Sequence, residues 1–293
     1  MLKDMISKIN NSTFYSSLKY FNDIRKKGLV NHKKFLELTN IINNESLSTF
    51  FQPILDLNGG NTIGFEILNR PPSSKMFPTT ESFYDFIGQT DQVFSFECFC
   101  RNLSIQRYFN SLSADTLCRD NLIFLNIHPQ VLLDSNYKSG ETVQLLQEFG
   151  ISPEQVVFEL TEKQAVTDFV QFEKVLNNYR SQGFRIAIDD AGSGYNSLKT
   201  LVYLKPEFIK LDKSLIRHID QDSVQQKLVS MLLDFANQSD TFVIAEGIEE
   251  AEELVFLQKN GVHFGQGYGL GKPHKTLITG KLPQVPSLRL ING

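Results

Sequence analysis

Eight short runs rich in β-branched and aromatic residues alternate with longer amphipathic stretches from about residue 48 onward. The strand candidates cover residues 49–57, 62–68, 122–127, 156–160, 184–189, 208–212, 242–246 and 263–268. Such alternation is typical of an α/β fold with a largely parallel sheet. Eight strands at this spacing predict a closed (β/α)8 TIM-like barrel, a fold that takes about 250 residues.

The connection between the first two strand candidates is only the four residues NGGN at 58–61. A loop this short suits a hairpin and is too short for a helical crossover. We therefore expect the first strand to run antiparallel to the rest. Helix ends are predicted at Gly150, Gly183 and Gly261, because a glycine just before a strand can take the left-handed conformation that stops a helix.

The flanks of the barrel differ from it in composition. Residues 1–30 are polar, with Phe14, Leu18 and Phe21 at helical spacing, which indicates an appended helix; a partly frayed terminus is the alternative. The sequence thus predicts an N-terminal helical segment at 1–45, a barrel at 46–275 and a C-terminal tail at 276–293.

Charge and hydropathy exclude several classes of protein. Lys and Arg number 29 against 33 Asp and Glu, a net charge of −4, which gives no general attraction to duplex nucleic acid. No run of 18 apolar residues could span a membrane, and the first residues lack the apolar core of a secretory signal. The odd set Cys98, Cys100 and Cys118 fits a reducing compartment, so we expect a cytoplasmic location.

Polar side chains occur at the ends of strand candidates that are otherwise apolar. They are Glu66, Asn126, Glu159, Asp189, Asp190, Lys210, Asp212, Glu246 and Gln266. In a parallel barrel these positions surround one mouth, where barrel enzymes keep their chemistry. Strand parity places Lys210 and Asp212 on the same face. Helix capping explains a single strand-end aspartate equally well, but it does not explain polar residues on seven successive strands.

Carboxylates gathered at one mouth would repel one another, and bound divalent cations are the usual resolution. Oxygen ligands favour Mg²⁺ or Mn²⁺ over zinc or copper. Two such cations about 3.5–4 Å apart can neutralise bound negative charge and activate a water. The glycine-containing run at 189–197 does not have the P-loop pattern.

With these motifs in place, the sequence resembles the EAL family of cyclic di-GMP phosphodiesterases over roughly residues 45–275. The matching motifs, in order, are FQPILDL, GFEILNR, FLNIHP, FELTE, IAIDDAGSGYNSL, IKLDKSLI, IAEGIEE and GQGYGLGKP. The family's E-A-L is E-I-L here, at residues 66–68. The resemblance implies hydrolysis of cyclic di-GMP to linear pGpG, a two-metal site and a homodimer.

The resemblance also implies roles for individual residues. The implied metal ligands are Glu66, Asn126, Glu159, Asp189, Asp190 and Glu246. The implied catalytic residues are Lys210 at the reactive water or phosphate, Asp212 near the second metal and Glu246 as general base. The implied substrate-binding residues are Arg70, Gln266 and Leu68, and Glu162 and Glu249 are implied to steady the loop after strand five.

Two other functions stay open from the sequence. The first is a receptor that binds cyclic di-GMP and hydrolyses it weakly. Ala191 and Ser193 depart from the family's usual residues in the loop after strand five, and Ala191 favours the receptor mildly. The second is a protein-interaction module assembled through residues 1–45. The complete set of acidic residues argues against both, so the sequence favours the enzyme.

Overall fold

The computed structural model describes residues 25–90, 92–112, 118, 120–128, 140–161, 169–192 and 197–283. Eight strands close a barrel in chain order: β1 Ser48–Asp56, β2 Thr62–Arg70, β3 Leu122–Asn126, β4 Val156–Thr161, β5 Arg185–Ala191, β6 Phe208–Leu211, β7 Phe242–Ala245 and β8 Phe264–Gly265. The predicted fold and all eight strands are confirmed. β1 is antiparallel to both β2 and β8 while all the other pairs are parallel, as the short first loop predicts.

Helices connect most of the strands. They are α1 at 25–43, α2 Thr80–Gly88, α3 Val93–Ser111, α4 Glu141–Phe149, α5 Phe169–Ser181, α6 Ser197–Leu204, α7 Lys213–Ile216, α8 Ser223–Gln238 and α9 Ala251–Lys259. The glycines predicted to end helices, Gly150, Gly183 and Gly261, have φ of 65°, 95° and 79°, so this prediction is confirmed. Within the described residues no helix combines the length and hydropathy that a membrane crossing needs.

The chain divides into two compact units. One consists of Met1–Leu47 and Pro71–Gln89, and the other of Ser48–Arg70 and Thr90–Gly293. In the first unit, α1 buries Leu38 and Ile41, and the amino group of Lys34 lies 5.4 Å from the ring centre of Phe86. The predicted N-terminal helix lies outside the described residues up to position 24. The second unit contains the whole barrel.

The barrel interior begins with an apolar layer that takes one residue from each of six strands. Its members are Ile54, Phe124, Val157, Ala187, Phe208 and Ile244, and each is almost completely buried. Side chains alternate along a strand, so residues two positions further along face the same interior. On the parallel strands of this layer those next residues are Asn126, Glu159, Asp189, Lys210 and Glu246. A polar layer therefore lies directly on an apolar one, at the carboxyl end of the barrel.

Gly64 allows β2 to approach β3 closely. A Cβ at this position would lie 2.6 Å from the carbonyl oxygen of Leu122, its partner on β3. That distance is far below van der Waals contact, so only glycine fits without displacing backbone. Because Glu66 comes two residues later on β2, this close approach also fixes where Glu66 lies relative to β3.

Candidate active site

Lys210 lies at the centre of the polar layer and is completely buried. Its Nζ lies 2.7 Å from Glu159 Oε1 and from Glu246 Oε1, 3.4 Å from Glu66 Oε2 and 3.6 Å from Asp189 Oδ1. Burial disfavours the ammonium, but the surrounding carboxylates outweigh it and hold the pKa of Lys210 well above its ordinary value. One cation thus serves four acids, which leaves the centre with excess negative charge.

Glu159 is the most deeply buried of these acids, with 1% of its surface exposed. Burial and the negative charge of Glu66 raise its pKa well above the usual range, although Lys210 acts in the opposite direction. Among the described residues, its Oε2 has no hydrogen-bond partner. A buried, unpaired carboxylate oxygen is costly unless a cation or proton satisfies it.

Glu66 is held by three polar side chains. Asn126 Nδ2 donates to Oε1 at 3.0 Å and Gln266 Nε2 donates to Oε2 at 2.7 Å, in addition to the ion pair with Lys210. Burial alone would raise the pKa of Glu66, but Lys210 and the two amide donors hold it below its ordinary value. Glu66 is therefore ionised, with its orientation fixed by its neighbours.

A bulge at the end of β5 brings two adjacent aspartates to the mouth. Asp189 and Asp190 together lie opposite a single residue of β6, Lys210. Asp190 takes a left-handed backbone conformation with φ of 56°, and its N–H donates to Asp189 Oδ1 at 2.9 Å. In a regular strand neighbouring side chains point to opposite faces, so the bulge is what allows both aspartates to serve one site.

Asp189, Asp190 and Glu246 form a carboxylate cluster whose ligand atoms lie within 4.8 Å of one another. Burial raises the pKa of Glu246 to about 8, with Lys210 opposing and Asp189 reinforcing that rise. Three convergent carboxylates, excess negative charge and an all-oxygen donor set fit Mg²⁺ or Mn²⁺. The residues therefore fit the metal chemistry expected from the sequence.

Asp212 does not join the carboxylates around Lys210 as strand parity predicts. β6 ends at Leu211, and Asp212 caps α7 by accepting the N–H of Ser214 at 2.9 Å. The backbone of Asp212 is still extended, and its N–H donates to the carbonyl of Ala191 at 3.2 Å. Helix capping, which the sequence left open for a single aspartate, is the contact that the structure gives to this residue.

The remaining predicted site residues lie at the edges of the barrel or outside the residues that the structure describes. Arg70, at the exposed end of β2, has its guanidinium 5.2 Å from the ring centre of Phe50. Leu68 is half-buried on the same strand, two residues before Arg70. Glu249 is exposed and forms a 2.7 Å ion pair with Arg217. Glu162 lies outside the described residues, as does Ser193.

Ala191 is completely buried at the end of β5, where its carbonyl accepts the N–H of Asp212 at 3.2 Å. A phenylalanine here would have to displace core side chains, which in general costs about 1–3 kcal/mol. The small residue is thus part of the packing beneath the loop, and its size is not by itself a sign of lost activity.

Sequence reasoning missed two buried polar residues near the site. Gln52 lies opposite Glu66 on β1, and its Nε2 donates to the carbonyl of Gly271 at 3.3 Å. Glu253 lies at the start of α9 and is fully buried. A glutamine within the apolar run FFQPIL was a usable signal for Gln52. No signal was available for Glu253, because it is one of several glutamates in a helix start.

The family model for the EAL domain matches residues 36–273, which is most of the chain. The chain belongs to the EAL domain family. This EAL domain is similar to cyclic di-GMP phosphodiesterase RocR of Pseudomonas aeruginosa, at 28% identity over 236 residues, which cover 79% of this chain and 58% of RocR. It spans between 20% and 58% of the length of four curated relatives that it matches.

Two solved structures extend the similarity to the fold of this EAL domain. A standalone EAL protein from Vibrio cholerae, in a c-di-GMP-bound form, aligns with a TM-score of 0.68 at 27% identity, covering 80% of this chain and 95% of that one. A complex of Klebsiella pneumoniae BlrP1 with manganese and cyclic di-GMP aligns with a TM-score of 0.71 at 26% identity, covering 80% and 58%. The resemblance seen in the sequence is thereby confirmed.

Proposed function

We propose that this EAL domain is a metal-dependent phosphodiesterase that hydrolyses cyclic di-GMP to linear pGpG. The observation that carries the proposal is the carboxylate cluster of Asp189, Asp190 and Glu246 beside the buried Lys210. RocR, a relative over most of the chain, is named a cyclic di-GMP phosphodiesterase. The excess negative charge of the site is useful only with bound cations, which would attract an anionic substrate to an acidic protein.

The cations would be Mg²⁺ or Mn²⁺, held by residues of β2, β3, β4 and β5 and by Glu246 just after β7. The proposed ligands are Glu66, Asn126, Glu159, Asp189, Asp190 and Glu246. The BlrP1 complex with manganese supports this choice of metal. When bound, such cations polarise the phosphodiester and lower the pKa of a water molecule between them.

Glu246 and Lys210 would have different roles in the reaction: Glu246 would accept a proton, and Lys210 would stabilise negative charge. The oxygen of a water would attack phosphorus, and Glu246, one of the three carboxylates of the cluster, would accept the proton that this water gives up. The bond from phosphorus to the ribose O3′ breaks, and O3′ takes up a proton from solvent to leave pGpG. Lys210, 2.7 Å from Glu246, offsets charge that develops on the phosphoryl oxygens.

Substrate contacts are proposed for Arg70, Gln266 and Leu68. Arg70 is exposed at the end of β2 and presents the planar donor set that binds phosphate or a guanine edge. Gln266 is buried beside Glu66 with its Oε1 unpaired among the described residues.

The resemblance supports three further proposals. The first is a homodimer, the second is a role for Glu162 and Glu249 in holding the loop after β5, and the third is a catalytic role for Asp212. A cytoplasmic location is proposed from the three free cysteines.

The proposal is tested by measuring metal binding and turnover on the same samples. Asp189→Asn removes a proposed ligand, and Asp234→Asn, an exposed position on α8, makes the same chemical change away from the barrel. We expect wild type and Asp234→Asn to bind Mn²⁺ in calorimetry and to convert cyclic di-GMP to pGpG. Asp189→Asn should do neither. Tight binding of cyclic di-GMP by the wild type without any pGpG, with either metal, would make the protein a receptor.

A further inference from the structure

The loop 246–250, which follows β7 and begins with Glu246, is fastened on its β8 side through backbone. The N–H of Ile248 donates to the carbonyl of Gln266 at 3.1 Å, and the carbonyl of Ile248 accepts the N–H of Gly269 at 2.9 Å. The packing is close enough that a Cβ on Gly267 would overlap the backbone of Ile248. On this side the loop is therefore fixed without the help of a side chain.

On the β6 side the same loop is held by the buried carboxylate of Glu253. Its Oε2 accepts the N–H of Glu249 at 3.0 Å and the N–H of Glu250 at 3.1 Å. Its Oε1 accepts the N–H of His218 at 3.0 Å, and Arg217 lies 3.6 Å from the same oxygen. The side chain of Glu253 is completely buried, whereas Arg217 reaches it from the exposed side of the turn.

Those contacts join two loops that leave neighbouring catalytic strands. His218 belongs to the β6 turn, residues 217–221, which follows α7 on the connection that leaves β6, the strand of Lys210, whereas Glu249 and Glu250 follow β7. His218 has a φ of 59°, a conformation that non-glycine residues adopt only when held by their surroundings. The same connection also contacts the β7 loop through α7, because a Cβ on Gly247 would lie 2.5 Å from Cβ of Lys213.

We propose that Glu253 is a positioning residue for Glu246, tying the β7 loop to the β6 turn so that Glu246 stays aligned with Lys210. This rests on the proposed phosphodiesterase function, in which Glu246 is the general base. Glu250 is the N-cap residue of α9. Capping of this helix alone would require only the contact between Glu253 and the N–H of Glu250. The contact with His218 serves no helix end of α9, and it is the one that links the two catalytic strands.

Glu253→Gln tests the proposal, because it keeps the size of the side chain and removes its charge and one acceptor oxygen. Glu252→Gln is the matched control: the adjacent glutamate in the same helical turn is exposed. Asp222→Ala is a second control, since it removes the cap of α8, where Asp222 accepts the N–H groups of Val224 and Gln225. Turnover is measured with cyclic di-GMP and Mn²⁺ at a temperature where every variant is folded.

We expect Glu253→Gln to lower kcat about 10- to 100-fold, the usual range for residues that orient a metal ligand, with little change in KM. Asp222→Ala should lose stability, as expected for a removed helix cap, and keep its kcat. In metal-free protein, hydrogen exchange of residues 246–250 should accelerate in Glu253→Gln and in neither control. If Glu253→Gln fails to fold, Glu253→Asp, which keeps the charge but shortens the reach, takes its place with the same expectations.

Two results would overturn the proposal, and both differ from a failure of the proposed function. The first is a kcat for Glu253→Gln equal to that of Glu252→Gln. The second is unchanged exchange of residues 246–250. If the wild type itself makes no pGpG, the proposed function fails, and the exchange measurement alone decides whether Glu253 holds the loop.

Discussion

Lys210 determines the electrostatics of this barrel at the scale of a single residue. It is a fully buried ammonium, and each of its four ion pairs is with a carboxylate of the same mouth. Removing one partner from a buried charge network leaves the others uncompensated, which costs far more than breaking a surface pair. We therefore expect the lysine to stabilise the folded metal-free protein as well as to serve the proposed catalysis.

We expect Lys210→Met to lower the free energy of unfolding of the metal-free protein by about 3–5 kcal/mol, the range for breaking a buried ion pair. Turnover with Mn²⁺ should fall about 10²- to 10³-fold, as for loss of one preorganised electrostatic group. Urea unfolding and pGpG formation measure the two effects. Lys227→Met, at an exposed position on α8, should change neither quantity. Near-normal turnover of Lys210→Met would reduce Lys210 to a structural ion-pair partner.

Glu253 gives a pH-dependent contribution to stability whose sign follows from its contacts. Burial raises the pKa of Glu253, but the N–H groups of Glu249, His218 and Glu250 and the charge of Arg217 outweigh it and lower the pKa below its ordinary value. An acid with a lowered folded-state pKa stabilises above its unfolded pKa, about 4.3, and loses that contribution as the pH falls through the folded value. The carboxylates of Glu249 and Glu250 lie on the same loop and oppose this effect.

The stability difference between wild type and Glu253→Gln should therefore be largest near pH 7 and shrink in acid. Urea unfolding of both proteins at several pH values between neutral and the acid limit of folding measures it. Glu252→Gln serves as control because Glu252 is exposed and should show little difference at any pH. A difference that stays constant with pH would mean that the charge of Glu253 does not contribute.

At the scale of the strands, the pattern of polar residues was predictable and its local irregularities were not. Alternation along the strands correctly predicts that Glu159 and Lys210 share the interior, and their side chains lie 2.7 Å apart. The bulge that brings Asp190 beside Asp189 was not predictable, because it arises from the pairing between β5 and β6. Asp212 was ambiguous for another reason: strand parity and helix capping both suit an aspartate at this position, and the structure gives its side chain the contact with Ser214.

Gly64 shows how one strand contact sets the geometry of the site. We expect Gly64→Ala to destabilise the barrel by about 1–3 kcal/mol, because its Cβ would meet the Leu122 carbonyl oxygen and neither backbone can move freely. Gly28→Ala, in α1 with no atom within 4 Å of the new Cβ, should be neutral or stabilising by about 0.5–1 kcal/mol. Thermal unfolding of both variants provides the comparison. Equal stability of the two would contradict the close approach of β2 and β3.

At the scale of the whole molecule, the site exists only when the barrel closes. Gln266 on the segment after β8 donates to Glu66 on β2 across a separation of 200 residues. Sequence alone could place each residue at the end of its strand, and closure of a barrel then predicted that the ends would meet. The distances between the carboxylates and Lys210 depend on packing between elements, and so do the contacts of Glu253 with the two loops. Strand and helix patterns in the sequence do not encode that packing.

The most direct test of metal-dependent phosphodiester hydrolysis is one reaction in ¹⁸O-labelled water. The protein is stripped of metal with EDTA, freed of chelator and incubated with cyclic di-GMP, before and after addition of Mn²⁺ to the same sample. We expect no product before the addition, and afterwards pGpG with ¹⁸O in its terminal phosphate, because water attacks phosphorus. Binding of cyclic di-GMP with no pGpG after addition of Mn²⁺, or of Mg²⁺ in a parallel sample, would contradict an enzymatic role.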